Sequence, residues 1–130
     1  MLQRLFVYGT LRPGESNQHF LAAIPGTWMS ASIRGVHFPH GYGATEGYPV
    51  IAPTQLGLPI AGMILEAQFT QEQWQTLDDF ESEAYKRVLS TAVAANGEEL
   101  SVFVYVLNSA DLERLALELP SLGLGLGPKA

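Results

Sequence analysis

The chain has 130 residues, 47% of them hydrophobic, which suffices for one compact domain with its own core and leaves no room for a second. Thirteen acidic residues against seven basic ones give a formal net charge of -6, which repels nucleic acid and anionic lipid surfaces and argues against both as partners. The absence of cysteine excludes disulfides, thiolate metal ligands and a cysteine nucleophile.

The first residues lack the basic and apolar regions of a secretory signal, and no stretch is long enough to span a membrane. These features predict a cytoplasmic protein. We expect one domain over residues 1–120, followed by a Gly/Leu-rich tail over 121–130. The sequence does not indicate an oligomeric state, because exposed apolar patches cannot be located from it.

The first predicted element is a strand over residues 2–8, an apolar and aromatic run that stops at Gly9. A loop follows, and Asn17 is expected to cap a short helix over residues 20–23, since its side chain can accept from an unpaired backbone N–H.

A second strand is predicted over residues 28–38, and a loop punctuated by proline and glycine follows it over 39–49. A further strand is predicted over 60–69. Thr70 and Gln73 then have the spacing of a capping box, which marks the start of a helix.

Asn96-Gly97 predicts a hairpin between strands over 85–95 and 98–107, because both turn residues tolerate positive φ. A last amphipathic helix is expected to begin at Ser109 and stop at Pro120. The alternating Leu/Gly tail that follows reads as a flexible end or, alternatively, as a lid. Because strands and helices do not alternate regularly, the fold class is α+β.

The loop after the first strand is one candidate site. Gly9 allows a ligand to approach the main chain, and the N–H groups of Gly9, Thr10 and Leu11 can form a nest that binds a small carboxylate. Alternatively, Gly9 only makes a tight turn.

The end of the predicted helix is the second candidate. Trp74, Leu77 and Phe80 form its apolar stripe, and at about 100° per residue Glu81 lies within roughly 40° of the centre of that stripe. A carboxylate in apolar surroundings has a raised pKa, which suits proton exchange near neutral pH. The alternative is a solvated Glu81, or one paired with Arg87.

Two further groups of residues are ambiguous. Tyr85 and Arg87 share one strand face and can orient a substrate, although Tyr85 can equally be a core aromatic whose hydroxyl reaches the backbone. His19, His37 and His40 suggest a metal site, but a catalytic zinc site usually needs three protein ligands with second-shell support, so we expect no metal.

Two motifs together resemble the γ-glutamylcyclotransferase-like family, which includes γ-glutamylamine cyclotransferases and AIG2-like proteins. They are Phe6-Val7-Tyr8-Gly9-Thr10-Leu11 and Leu77-Asp78-Asp79-Phe80-Glu81 followed by Tyr85-Lys86-Arg87. With Gly14 to Asn17, Tyr48-Pro49, Gly62 to Glu66 and the late hairpin, the resemblance extends from about residue 5 to residue 107.

The resemblance implies a small mixed β-barrel flanked by short helices. It also implies that the loop around Tyr8, Gly9, Thr10 and Leu11 holds a γ-glutamyl group, and that Glu81 acts as general acid/base without a cofactor. Tyr85 is a further expected substrate contact. One departure is Ser82, where many AIG2-like members have glycine. Another is the loop over 39–47, which is longer than usual and can reshape the leaving-group side.

The activity implied is conversion of a γ-glutamyl amine or amide to 5-oxoproline and a free amine by intramolecular aminolysis. Two alternatives stay open. The first is a non-catalytic module that binds a small amino acid or amide on the same fold, and the second is a protein-interaction domain with an exposed Glu81.

Overall fold

The computed structural model of the chain describes residues 2–118, so the predicted tail over 121–130 and the stop at Pro120 lie outside the described residues. The strands are β1 (Gln3–Val7), β2 (Gly26–Phe38), β3 (Val50–Pro53), β4 (Leu58–Ala67), β5 (Tyr85–Ala94) and β6 (Glu99–Leu107). The helices are α1 (His19–Ala22), α2 (Gln71–Glu81) and α3 (Ser109–Glu118), and a 3₁₀ turn spans Gly43–Thr45. Within the described residues, no helix has the length and apolar character needed to cross a membrane.

The described strands form one mixed sheet with the order β3-β2-β4-β1-β6-β5. β5 also pairs with β2, through Ala31 opposite Ala94 and Ser32 opposite Val93, so that β2, β4, β1, β6 and β5 close into a five-stranded barrel. β1 and β6 run parallel, and the other pairs are antiparallel. The predicted α+β fold with a mixed barrel and short helices is therefore confirmed.

The alternation of side chains along β1 separates two parts of the core. Leu5 and Val7 pack with Trp74 and Leu77 of α2, whereas Phe6 belongs to the cluster on the opposite face of the strand. Because α2 covers the outer face, Phe6 lies on the barrel interior. Burial of Leu77 stabilises the fold by roughly 2 kcal/mol and holds α2 against the barrel.

Local signals explain two of the predicted elements. At the start of α2, Thr70 Oγ1 accepts from Gln73 N at 3.1 Å and Gln73 Oε1 accepts from Thr70 N at 2.8 Å, which confirms the capping box. The Asn96-Gly97 turn joins β5 and β6 as predicted, with φ of 89° at Gly97.

In the first half of the chain, one prediction was wrong and one strand was missed. Asn17 does not cap α1, because the helix begins at His19 with Gln18 as its N-cap residue and without a side-chain capping bond. β3 was not predicted at all. Its four residues, Val50–Pro53, are too few to show a periodicity, and they form a strand because β2 offers them an open edge along Gly35–Phe38.

Candidate active site

A cavity of about 490 Å³ opens where β1 ends, and it is bordered by the loop after β1, the loop before β3 and the end of α2. The residues that line it are Phe6, Val7, Tyr8, Gly9, Thr10, Leu11, Asn17, Thr45, Tyr48, Pro49, Phe80, Glu81, Ser82, Ala84, Tyr85 and Tyr105. The structure thus brings the two candidate segments, around Gly9 and around Glu81, to one concave surface. A volume of this size is typical of small-molecule sites.

The loop after β1 is held by its carbonyl groups and by Asn17. Gly9 O accepts from both the backbone N–H and the Nε of Arg12, at 3.2 and 3.0 Å. Asn17 donates from its backbone N to Thr10 O at 2.9 Å and from Nδ2 to Thr10 Oγ1 at 3.0 Å. Asn17 therefore braces the loop, which is the role its side chain has instead of capping α1.

These bonds use the acceptors of the loop and leave its donors open. Within residues 2–118, the N–H groups of Gly9, Thr10 and Leu11 donate to no protein acceptor. Gly9 is also confined, since a Cβ there would lie 3.1 Å from Pro49 Cγ. Three successive main-chain donors beside a cavity can bind a carboxylate.

Glu81 is the last residue of α2 and is partly buried at the cavity. Burial raises the pKa of this carboxyl to about 7 from its ordinary 4.5. Among the described residues its carboxylate accepts no hydrogen bond and makes no ion pair. A carboxyl group with this pKa can both accept and donate a proton near neutral pH.

The predicted alternative, an ion pair of Glu81 with Arg87, is not what the structure shows. Arg87 instead binds Asp78, one helical turn earlier, with Nε to Oδ1 at 2.9 Å and Nη2 to Oδ2 at 3.2 Å. The guanidinium also lies over the Trp74 ring, 4.4 Å from its centroid. Arg87 is therefore paired with Asp78, and Glu81 stays unpaired within the described part of the chain.

Tyr8, Tyr85 and Tyr105 line the same cavity as Glu81. Tyr85 donates its hydroxyl to Pro49 O at 2.7 Å, as expected for an aromatic whose hydroxyl reaches the backbone, and it lines the cavity as well. Tyr8 donates to Tyr105 O at 2.6 Å. Burial, followed by the charge of Glu81, raises the pKa of Tyr85, and burial likewise raises that of Tyr8. Both stay protonated at neutral pH.

Tyr105 connects the cavity to the ion pair between Asp78 and Arg87. Its hydroxyl donates to Asp78 Oδ1 at 2.6 Å, while its main-chain oxygen accepts from Tyr8. Although partial burial raises the pKa of Asp78, the hydrogen bonds from Arg87 and Tyr105 outweigh it, and the pKa is lowered overall. The sequence carried no signal for Tyr105, because only the pairing of β6 with β1 brings it to the site.

The histidines do not converge on this cavity. His37 packs edge-on against Tyr8 at 6.2 Å between ring centroids, and His19 packs against Phe20 at 4.5 Å. Burial, followed by the charge of Arg12, lowers the pKa of His37. Within residues 2–118, no group of three or more metal-ligating side chains was found.

A family model described as gamma-glutamyl cyclotransferase, AIG2-like, matches residues 5–121 of the chain. A Drosophila melanogaster protein named "Putative gamma-glutamylcyclotransferase" is 27% identical over 132 residues, which cover 92% of this chain and 78% of that protein.

Solved structures show the same fold. An AIG2-like protein of Mus musculus matches with a TM-score of 0.57 and 25% identity, over 81% of this chain and 76% of its own. A solution structure from Arabidopsis thaliana matches with a TM-score of 0.64 and 25% identity, over 92% and 87%. YkqA of Bacillus subtilis matches with a TM-score of 0.66 and 26% identity; 92% of this chain is covered, but the chain spans only 43% of that longer protein.

Proposed function

The chain belongs to the gamma-glutamyl cyclotransferase, AIG2-like family, and we propose that it converts γ-glutamyl amines or amides to 5-oxoproline and a free amine, with Glu81 as general acid/base. The observation that carries this proposal is the unpaired carboxyl group of Glu81, whose pKa is raised to about 7, in the same cavity as three open main-chain donors.

In the proposed reaction the α-amine of the γ-glutamyl group attacks its own γ-carbonyl carbon. The new bond joins this nitrogen to the γ-carbon and closes a five-membered lactam, while the bond from the γ-carbon to the leaving nitrogen breaks. The proton lost by the attacking amine passes to Glu81 and then to the leaving nitrogen. Water is not consumed, and the protein supplies no nucleophile.

The loop and the helix have complementary tasks in this scheme. The N–H groups of Gly9, Thr10 and Leu11 bind the α-carboxylate and so hold the amine near the γ-carbon, which replaces a bimolecular encounter by a positioned one. Proton transfer through Glu81 contributes about 10²- to 10⁴-fold in rate. That range corresponds to roughly 3 to 5 kcal/mol of barrier lowering.

The test is a mass-spectrometric screen for 5-oxoproline release from γ-glutamyl amino acids, γ-glutamyl-ε-lysine and simple γ-glutamyl amines. We expect wild-type protein to turn over members of this panel. Glu81→Gln should lower kcat about 100-fold or more while the substrate still binds, because the amide keeps the size of the side chain but cannot carry the proton.

Glu83→Gln is the matched control, since Glu83 is exposed two residues further along and lies outside the cavity. It should retain wild-type turnover, and thermal melting should show that both variants are folded. A folded Glu81→Gln that matches the wild-type single-turnover rate would disprove the role of Glu81. Stoichiometric binding without 5-oxoproline release would identify a binding module instead.

A further inference from the structure

The mouth of the cavity carries two solvent-exposed aromatic side chains, Tyr48 and Phe80, which we call the aromatic rim. Tyr48 is 65% exposed and Phe80 is 36% exposed, and both line the same cavity as Glu81. Single exposed aromatics are common on protein surfaces. Two that border one cavity, beside an unpaired carboxyl group, instead have the character of a ligand-binding surface.

Both rim residues are held in place without being buried. Tyr48 N donates to Thr45 O at 2.9 Å, and the carbonyl group of the next residue, Pro49, accepts from the Tyr85 hydroxyl at 2.7 Å. Phe80 packs against Phe20, with 4.2 Å between the ring centroids. The main chain at Tyr48 and the ring of Phe80 are therefore held before a ligand binds, which limits the further loss of conformational entropy on binding.

The position of Glu81 assigns the rim to one end of the substrate. If the α-carboxylate binds at Gly9 to Leu11, the leaving nitrogen must reach Glu81 to receive its proton. Phe80 is the residue immediately before Glu81, and Tyr48 immediately precedes Pro49, whose carbonyl group accepts from the hydroxyl of Tyr85 in the same cavity. The part of the substrate beyond the leaving nitrogen therefore meets the rim.

We infer that Tyr48 and Phe80 form a subsite for a flat, apolar leaving group, so that the preferred substrates are γ-glutamyl derivatives of arylalkylamines. This inference rests on the proposed function and names its substrate class. An aromatic leaving group would stack on the rim, and such a contact is favourable beyond the burial of apolar area. A carboxylate on the leaving group would instead face two aromatic rings, and the nearby carboxylate of Glu81 would repel it.

The experiment compares two uncharged leaving groups that differ in the aromatic ring, using γ-glutamyl-phenethylamine and γ-glutamyl-ethylamine. We expect the wild-type kcat/KM to favour the phenethyl compound by on the order of 10-fold. Tyr48→Ala should remove most of this preference, chiefly through KM, whereas Tyr48→Phe should keep it because the ring remains. Leu89→Ala is the control for loss of an exposed apolar side chain, since Leu89 is 67% exposed outside the cavity.

Calorimetric titration with the same two compounds separates failure of the subsite from failure of the proposed function. If neither compound yields 5-oxoproline but the phenethyl compound binds more tightly, and Tyr48→Ala abolishes the difference, the subsite stands and the proposed reaction fails. If 5-oxoproline is released without a phenethyl preference, or if Tyr48→Ala keeps that preference, the subsite is wrong.

Discussion

Replacing Glu81 by glutamine should stabilise the folded protein above neutral pH while it removes activity. Burial raises the pKa of the Glu81 carboxyl group from an ordinary 4.5 to about 7, so the folded state holds this proton more tightly than the unfolded state does. As the pH rises from 4.5 to 7, the unfolded chain releases the proton first, and the wild-type free energy of unfolding falls.

The size of the effect follows from the two pKa values. At about 1.4 kcal/mol for each pH unit between them, the wild-type protein loses about 3 kcal/mol of stability across this interval. Glutamine does not titrate and resembles the protonated carboxyl group in shape. Glu81→Gln should therefore match the wild type near pH 4.5 and exceed it by up to about 3 kcal/mol at pH 8.

The assay is urea unfolding of both proteins at several pH values between 4.5 and 8, with the m-value checked for constancy. Glu83→Gln serves as the control, because a substitution at an exposed position should change stability by less than about 0.5 kcal/mol at every pH. If the difference between Glu81→Gln and the wild type is the same at pH 5 and pH 8, burial does not raise the pKa of Glu81, and the basis for its acid/base role is lost.

Substitutions at three further positions test the surroundings of the carboxyl group. Ser82 has φ 64° and ψ -171°, a region occupied almost only by glycine. Ser82→Gly should therefore raise the free energy of unfolding by about 1 kcal/mol, whereas Ser82→Ala should not. Equal effects of the two substitutions would contradict this account of strain. Gly9→Val should weaken binding of 5-oxoproline by on the order of 10-fold or more. The reason is that a Cβ at Gly9 lies 3.1 Å from Pro49 Cγ, and the added methyl groups crowd the loop. Unchanged affinity for 5-oxoproline would count against the carboxylate nest. Asp78→Asn weakens the pair with Arg87 and should destabilise the protein at pH 7. Because the pKa of Asp78 is lowered in the fold, this loss of stability should shrink as the pH falls below 3.8, the ordinary pKa of the group. An equal loss at pH 7 and pH 3 would show that the charge of Asp78 contributes nothing.

Features encoded within a few residues could be predicted from the sequence. The capping box at Thr70 and Gln73 and the Asn96-Gly97 turn were predicted correctly, since each depends on backbone groups within one turn of chain. The helical phase that turns Glu81 towards the apolar side of α2 is likewise a property of residue spacing alone, and the structure has this carboxyl group partly buried at the cavity.

Features that depend on a choice among several possible partners could not be predicted. By sequence, Arg87 could pair with either Asp78 or Glu81, and only the way α2 packs on β5 and β6 pairs it with Asp78. Asn17 has the side chain of a capping residue but bonds to Thr10, because the loop after β1 folds back onto it.

By itself, the sequence determined the class of the fold, the ends of its clearest elements and the two segments that carry the candidate chemistry, because all three are expressed as local spacing and residue type. The tertiary structure alone decided that β1 lies parallel to β6, that β3 joins β2, and that Tyr48, Phe80 and Tyr105 line one cavity with Glu81. Such pairings join residues up to about a hundred positions apart, and no local pattern specifies them, since each depends on the closure of the whole barrel and on which partner buries the most apolar surface.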